Sequence, residues 1–295
     1  MTFSVRTLVL TVSVAAALAA CQRREDKAEA PAAAPAAAPA AAGAPMRFED
    51  KTEYAAVKLT LPEAIKGQPD LHAPLYAAAV RDLQQFEEGA QGDLSEAGGG
   101  PNPYEKTIAY AAGGETDKLL SLSRTDFEYT GGAHPNTRFS AVLWDKALKK
   151  RLGFADLFRP GADLSVLDKA LCDAANAAKQ ARSPGSERAT LDGKMWTCPK
   201  AISTPFMLSP GTTPGKAGGV TFLIGAYQIG PYSDGDYWIA LPQDAFRSLL
   251  NPAYADQFAG APVKAGDVRR AHGLVQVVAH PRQLCPQCGN LRGRA

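Results

Sequence analysis

Proline recurs at every fourth residue through most of PAAAPAAAPAAAGAP, residues 31–45, and no regular element can form across that tract. Each proline lacks an amide hydrogen and clashes with a helical neighbour. The alanines between them carry too little side chain to build a core. Residues 21–45 therefore read as an extended, semi-rigid tether, and the folded body is expected from Met46 onward. The rest of the chain is long enough for one large domain or two small ones. With 45% hydrophobic residues it can fill a core.

Upstream of the tether, Arg6 precedes an apolar run, Thr7 to Ala20, that ends in Leu18-Ala19-Ala20-Cys21. A permanent membrane helix needs roughly 20 apolar residues, so this run is too short to be one. The small residues before Cys21 have the form of a lipobox, which hands a cysteine to the bacterial lipoprotein machinery. Residues 1–20 are thus expected to be a signal peptide. Cys21 would carry acyl chains such as palmitate and hold the protein to a membrane of the cell envelope. Gln22 in the next position favours the outer membrane of a Gram-negative cell, with the domain facing the periplasm.

Charge and cysteines agree with that address. The net charge is +2, or +1 without Arg6, too weak for a nucleic-acid partner. Cys172, Cys198, Cys285 and Cys288 remain besides Cys21, an even number, as an oxidising compartment favours. We expect Cys172 to pair with Cys198, closing a loop of ~27 residues and contributing about 3 kcal/mol. Two unpaired buried thiols are the alternative.

Alternating apolar positions predict strands at residues 53–61, 119–129 and 138–145. Leu71, Leu75, Ala78, Ala79, Leu83 and Phe86 predict an amphipathic helix over 71–88. Asp163 is placed to cap a second helix, 164–181, with Leu164, Leu167, Leu171, Ala174 and Ala178 as its buried stripe. Residues 183–200 look irregular. Residues 220–229 and 237–241 read as a hairpin, and Pro242 as the start of a short helix through Leu250. Strands and helices do not alternate regularly. The expected class is α+β: a mixed antiparallel sheet with a few packed helices, in a single domain over 46–260. Residues 261–295 read as a C-terminal tail, with a strand at 274–278.

Several separated strings occur in one order: Tyr129-Thr-Gly-Gly-Ala-His-Pro-Asn136, Phe139 to Trp144, Leu152-Gly-Phe-Ala-Asp-Leu-Phe158, Val220 to Tyr232, Gly235 and Ile239-Ala-Leu-Pro242. Together they make residues 50–255 resemble the RsiV-like domain of unknown function. That domain forms the ectodomain of lysozyme-sensing anti-sigma factors and also sits beside peptidoglycan deacetylase domains. The resemblance implies an α+β binding domain, with lysozyme or a peptidoglycan-related molecule as ligand. No cytosolic sigma-binding segment and no deacetylase domain is expected here, leaving the sensor-like module alone on a lipid.

His134 sits in a Gly131-Gly132 turn between Tyr129 and Asn136. Imidazole titrates near neutral pH, so His134 could serve as a general base, with Asp126 or Ser140 nearby. It could equally hydrogen-bond the turn together with Asn136, or belong to a ligand-binding rim. Tyr227, Tyr232, Tyr237 and Trp238 could stack on sugars or pack as core. The candidate binding residues are therefore Tyr129, Gly131, Gly132, His134, Asn136, Tyr227 and Tyr232.

Cys285-Pro-Gln-Cys288 could be a local second disulfide, a redox pair or half a zinc site. His72, His134, His272 and His280 are scattered and never spaced i, i+4, so we expect neither metal nor cofactor. The expected function is non-catalytic binding in the envelope. The alternatives are a wall-acting hydrolase or deacetylase-like enzyme using His134, and a structural lipoprotein.

Overall fold

In the computed structural model, which describes residues 43–98 and 102–271, two sheets share one body. Cys21, the signal, most of the tether, His272, His280, the strand expected at 274–278 and the Cys285–Cys288 pair lie outside the described residues.

The first sheet has the order β1 (Arg47–Lys51), β2 (Ala55–Thr60), β3 (Tyr104–Glu115), β4 (Leu119–Tyr129), β5 (Asn136–Asp145), β6 (Lys150–Leu152). Only β2 and β3 run parallel, joined through α1 (Pro69–Glu96), because a parallel pair needs a crossover. The second sheet has the order β10 (Gly266–Asp267), β9 (Tyr237–Pro242), β8 (Ala217–Ile224), β7 (Phe206–Pro210), and is antiparallel throughout. The fold is α+β as expected, with the strands divided between two sheets.

Each sheet has its own core. Leu71, Leu75, Ala79 and Leu83 of α1 face Val57, Leu59, Ile108, Leu120 and Leu122 of the first sheet. Trp144 closes this core, and its indole N–H donates to Gln68 Oε1 at 3.1 Å. The larger core lies between the second sheet and α2 (Ser165–Arg182). Edge-on aromatic contacts run through it from Phe206 and Phe222 by way of Phe154 and Phe158 to Phe246 and Phe258. All eight residues of the central strand β8 are buried, and its one polar side chain, Thr221, shares a hydrogen bond of 2.7 Å with Ser209.

The sheets meet where β7 crosses β3, β4 and β5. A β-bulge at Gly113-Gly114 makes room, since a Cβ on Gly114 would lie 2.9 Å from the Leu208 carbonyl oxygen. Ser121, fully buried, bridges the junction: its hydroxyl donates to Gly114 O at 2.9 Å and accepts from Leu208 N at 3.0 Å.

Several expected boundaries move. Helix α1 runs eight residues beyond 88, to Glu96. Leu164 is the N-cap of α2, and Asp163 instead accepts from Ser165 N at 2.9 Å. Strand β8 stops at Ile224 rather than residue 229, because Gln228 Oε1 accepts from Gly225 N at 2.8 Å and turns the chain. The helix expected from Pro242 is two 3-10 turns, Gln243–Ala245 and Arg247–Leu249, interrupted at Phe246, whose ring is buried in the core. Past residue 260 the chain runs against the body: Gly211 pairs with Pro262, and β10 adds to β9 ahead of α3 (Val268–Ala271). No helix among the described residues is long and apolar enough to cross a membrane.

Candidate functional site

The β4–β5 hairpin ends in the turn 130–135, flanked by Tyr129 on one strand and Asn136 on the other. Gly131 takes φ +86°, a conformation glycine adopts without steric cost. The turn carries His134 to the surface, where it meets the loop 225–236 between β8 and β9. The His134 ring stacks on Tyr232, with centroids 3.8 Å apart and planes 17° from parallel. Tyr227 leans on both, at 6.1 Å from His134 and 5.6 Å from Tyr232. Three of the candidate residues thus come together from segments about 90 positions apart in the chain, as the Tyr227–His134 separation of 93 shows.

Hydrogen bonds fix the cluster. His134 Nδ1 lies 3.1 Å from Pro135 O, which only a protonated Nδ1 can satisfy. The neutral ring then accepts at Nε2 from the Tyr227 hydroxyl, at 3.3 Å. Tyr232 donates to the same Pro135 carbonyl at 3.1 Å. Tyr227 is 57% exposed and has φ +66°, uncommon for a residue with a Cβ. The backbone holds a large aromatic ring out in water, against the usual tendency of such rings to bury.

The other aromatics divide differently. Tyr237 is core, 1% exposed. Trp238 is half-buried against Phe139, edge-on at 5.8 Å, and Arg269 lies 5.0 Å above it. Neither Asp126 nor Ser140 serves His134. Both Asp126 oxygens accept from Arg124 Nε at 2.9 Å, within an ion-pair network that also joins Asp82 and Lys106. Ser140 pairs in register with Arg124, well down the strand from the turn. His72 is buried beside Pro45 O. No group of three or more His, Cys, Asp or Glu among the described residues is arranged to hold a metal ion.

A polar stripe along α2 holds both the ring-bearing loop and the segment 187–201, and apart from Cys172 its role has no signal in the sequence. Asp168, Cys172, Asn176, Lys179 and Arg182 recur at spacings of three and four, so they share one face. Asp168 Oδ1 accepts from Ala201 N at 2.8 Å. Cys172 forms the expected disulfide with Cys198. Asn176 clasps the Ala189 backbone with both ends of its amide, at 2.8 and 2.9 Å. Lys179, 1% exposed, donates to Glu187 O and to Ile229 O; burial lowers its pKa. Arg182 donates from Nη1 to Asp234 O at 2.9 Å and Asp236 O at 2.7 Å, and from Nε to Asp267 at 2.7 Å. Its guanidinium also lies 3.9 Å over the Tyr237 ring.

Around this anchor, burial and then Asp234 push the Tyr237 hydroxyl up to about 12. Burial raises Asp236, with Arg269 opposing. Arg269 Nε reaches Asp236 Oδ2 at 3.1 Å as an ion pair.

No family model and no curated protein matches this chain. Solved structures similar to it include the following two. One is a member of the DUF3298 family from Bacteroides fragilis, 17% identical with a TM-score of 0.47. The other is a DUF3298 family protein from Pseudomonas aeruginosa PAO1, 19% identical with a TM-score of 0.42. Each comparison covers 72% of this chain and 94% of the other.

Proposed function

We propose that this chain is a lipid-anchored protein of the cell envelope whose α+β domain binds a ligand without catalysis, and that His134, Tyr227 and Tyr232 form the contact surface. The observation that carries the reading is Tyr227, an exposed ring held in a left-handed backbone conformation beside a stacked His–Tyr pair. Strain of this kind persists only where the surroundings enforce it, and it concentrates at functional sites. The non-catalytic reading is supported by the setting of His134: Asp126 is held by Arg124 and Ser140 lies well down the strand, so neither the carboxylate nor the serine that a base would work with is at hand.

The anchor is supported by the Leu18–Cys21 string and the tether behind it. The resemblance to the RsiV-like domain favours lysozyme or a peptidoglycan-related molecule as ligand. Mass spectrometry of the mature chain tests the anchor: acyl chains on Cys21 are expected, and an uncut leader refutes it. Calorimetry of the purified protein with lysozyme, and separately with wall fragments, tests binding. Heat that disappears in Tyr227→Ala supports the surface. Wall fragments cleaved by the wild type and left intact by His134→Ala refute the non-catalytic reading.

A further inference from the structure

We infer that the ligand is a neutral carbohydrate chain, and that a cleft beside the ring cluster forms the second half of its site. The inference rests on the ring cluster being a binding surface. It adds the chemistry of the occupant.

The loop that displays Tyr227 and Tyr232 also sends Gln228 into a cleft of about 280 Å³. The facing wall is the segment pinned by the disulfide: Thr197, Pro199, Ser203, Thr204 and Pro205, with the half-cystine Cys198. None of these residues is charged, so a phosphate, carboxylate or guanidinium finds no counter-ion in the cleft. A polyanion such as nucleic acid is unsuited for the same reason.

The hydrogen-bonding state of the lining is more selective. Each hydroxyl has already spent its proton: Thr197 donates to Gly193 O at 2.7 Å, Ser203 to Lys200 O at 3.3 Å and Thr204 to Lys200 O at 2.7 Å. A hydroxyl oxygen whose hydrogen is used still offers acceptor lone pairs. Gln228 adds a donor, for its Oε1 accepts from Gly225 N and its NH₂ remains to donate. The cleft therefore presents several acceptors and one amide donor. That set suits a ligand rich in O–H groups and mismatches one that can only accept.

The rings supply the complementary element. An aromatic face carries negative quadrupolar charge and attracts the slightly positive C–H face of a sugar ring. Tyr227, mostly exposed, is available for such stacking, with the Tyr232–His134 pair behind it. Stacking for the apolar face and neutral hydrogen bonds for the rim are what a pyranose needs, and one loop provides parts of both.

The test titrates the purified full chain with neutral tetrasaccharides of N-acetylglucosamine, glucose and mannose, with a sulfated tetrasaccharide as charged control, and in separate cells with lysozyme alone. The expected result is binding of at least one neutral sugar and not of the sulfated one. Tyr227→Ala should weaken that affinity at least tenfold and Gln228→Ala at least threefold, with unchanged far-ultraviolet dichroism. Lysozyme binding that Tyr227→Ala abolishes, without binding of any sugar, overturns the carbohydrate and leaves the surface standing. Sugar binding indifferent to both substitutions overturns this site. Binding of neither sugar nor lysozyme overturns the inference and the surface together.

Discussion

Replacing Arg182 with methionine should destabilise the protein by about 3 kcal/mol, because this side chain joins the ring-bearing loop, the segment 266–271 and α2 through one guanidinium. Methionine keeps an apolar stem of similar length and removes the charge, including the guanidinium over Tyr237. Asp267, whose side chain is only 9% exposed, loses its partner, as do the carbonyls of Asp234 and Asp236. Removing one member of a buried ion pair costs roughly 3–5 kcal/mol. The Arg182 side chain retains 19% exposure, which argues for the lower end. In the double variant Arg182→Met/Asp267→Asn no charge is stranded, and the loss should shrink to about 1–2 kcal/mol, mainly the two carbonyl bonds. Urea unfolding with the disulfide intact measures both, and m should stay constant. For a domain of this size the single variant should melt about 6–12 °C lower. A single-variant loss under about 1 kcal/mol, or a double variant as unstable as the single, refutes the reasoning.

Ser121→Ala should cost about 2 kcal/mol in the same urea assay, since it leaves the buried Gly114 carbonyl and Leu208 amide unpaired. Cys172→Ala/Cys198→Ala should lower stability by about 3 kcal/mol, while the oxidised wild type should show the bridge by peptide mapping. Asp82 is raised by its own burial, but hydrogen bonds and charges from Lys106 and Arg124 outweigh this and bring its pKa below 3.8. A carboxylate depressed in the folded state stabilises above its unfolded value and loses that advantage as pH falls through the folded value. Asp82→Asn should therefore melt below the wild type at pH 7, with the gap closing below about pH 4; a gap independent of pH contradicts it. Tyr227→Gly should leave stability within about 1 kcal/mol, because relief of the left-handed strain offsets the lost contacts, while ligand binding disappears.

Which elements could be read from sequence follows from how their faces are used. Strands β4, β5 and β8 and helix α2 announce themselves because apolar residues recur with the period of the element or fill it. Strand β1, RFEDK, is a charged edge with no buried residue, and alternation has nothing to mark. Strand β3 hides because Lys106 takes a core-side position, where Asp82 and Glu128 neutralise it. The even number of cysteines after Cys21 made a disulfide legible, whereas the choice of Cys172 and Cys198 was an expectation that the fold bears out. His134, Tyr227 and Tyr232 were legible as residue types with turn signals around them, but not as one stack, since β4–β5 pairing and the 225–236 loop must both form first. Lys179 and Arg182 carry no sequence signal of their role: two cations near a helix C-terminus suit the dipole from solvent as well, yet the fold buries one and locks the other among carbonyls.

The polar stripe of α2 ties these parts into one mechanical unit. Asp168, Cys172 and Asn176 hold the segment that forms one wall of the cleft, through Ala201, Cys198 and Ala189. Lys179 and Arg182 hold the loop that supplies the other wall and two of the three rings, through Ile229, Asp234 and Asp236. The two walls share a single rigid helix, and neither is a strand of either sheet. Breaking the disulfide releases one wall, and removing Arg182 releases the other. Both perturbations should therefore weaken ligand binding by more than global unfolding accounts for, measured as a loss of affinity under conditions where the variants remain fully folded. If folded, reduced protein binds as tightly as oxidised protein, the helix anchors the fold but does not shape the site.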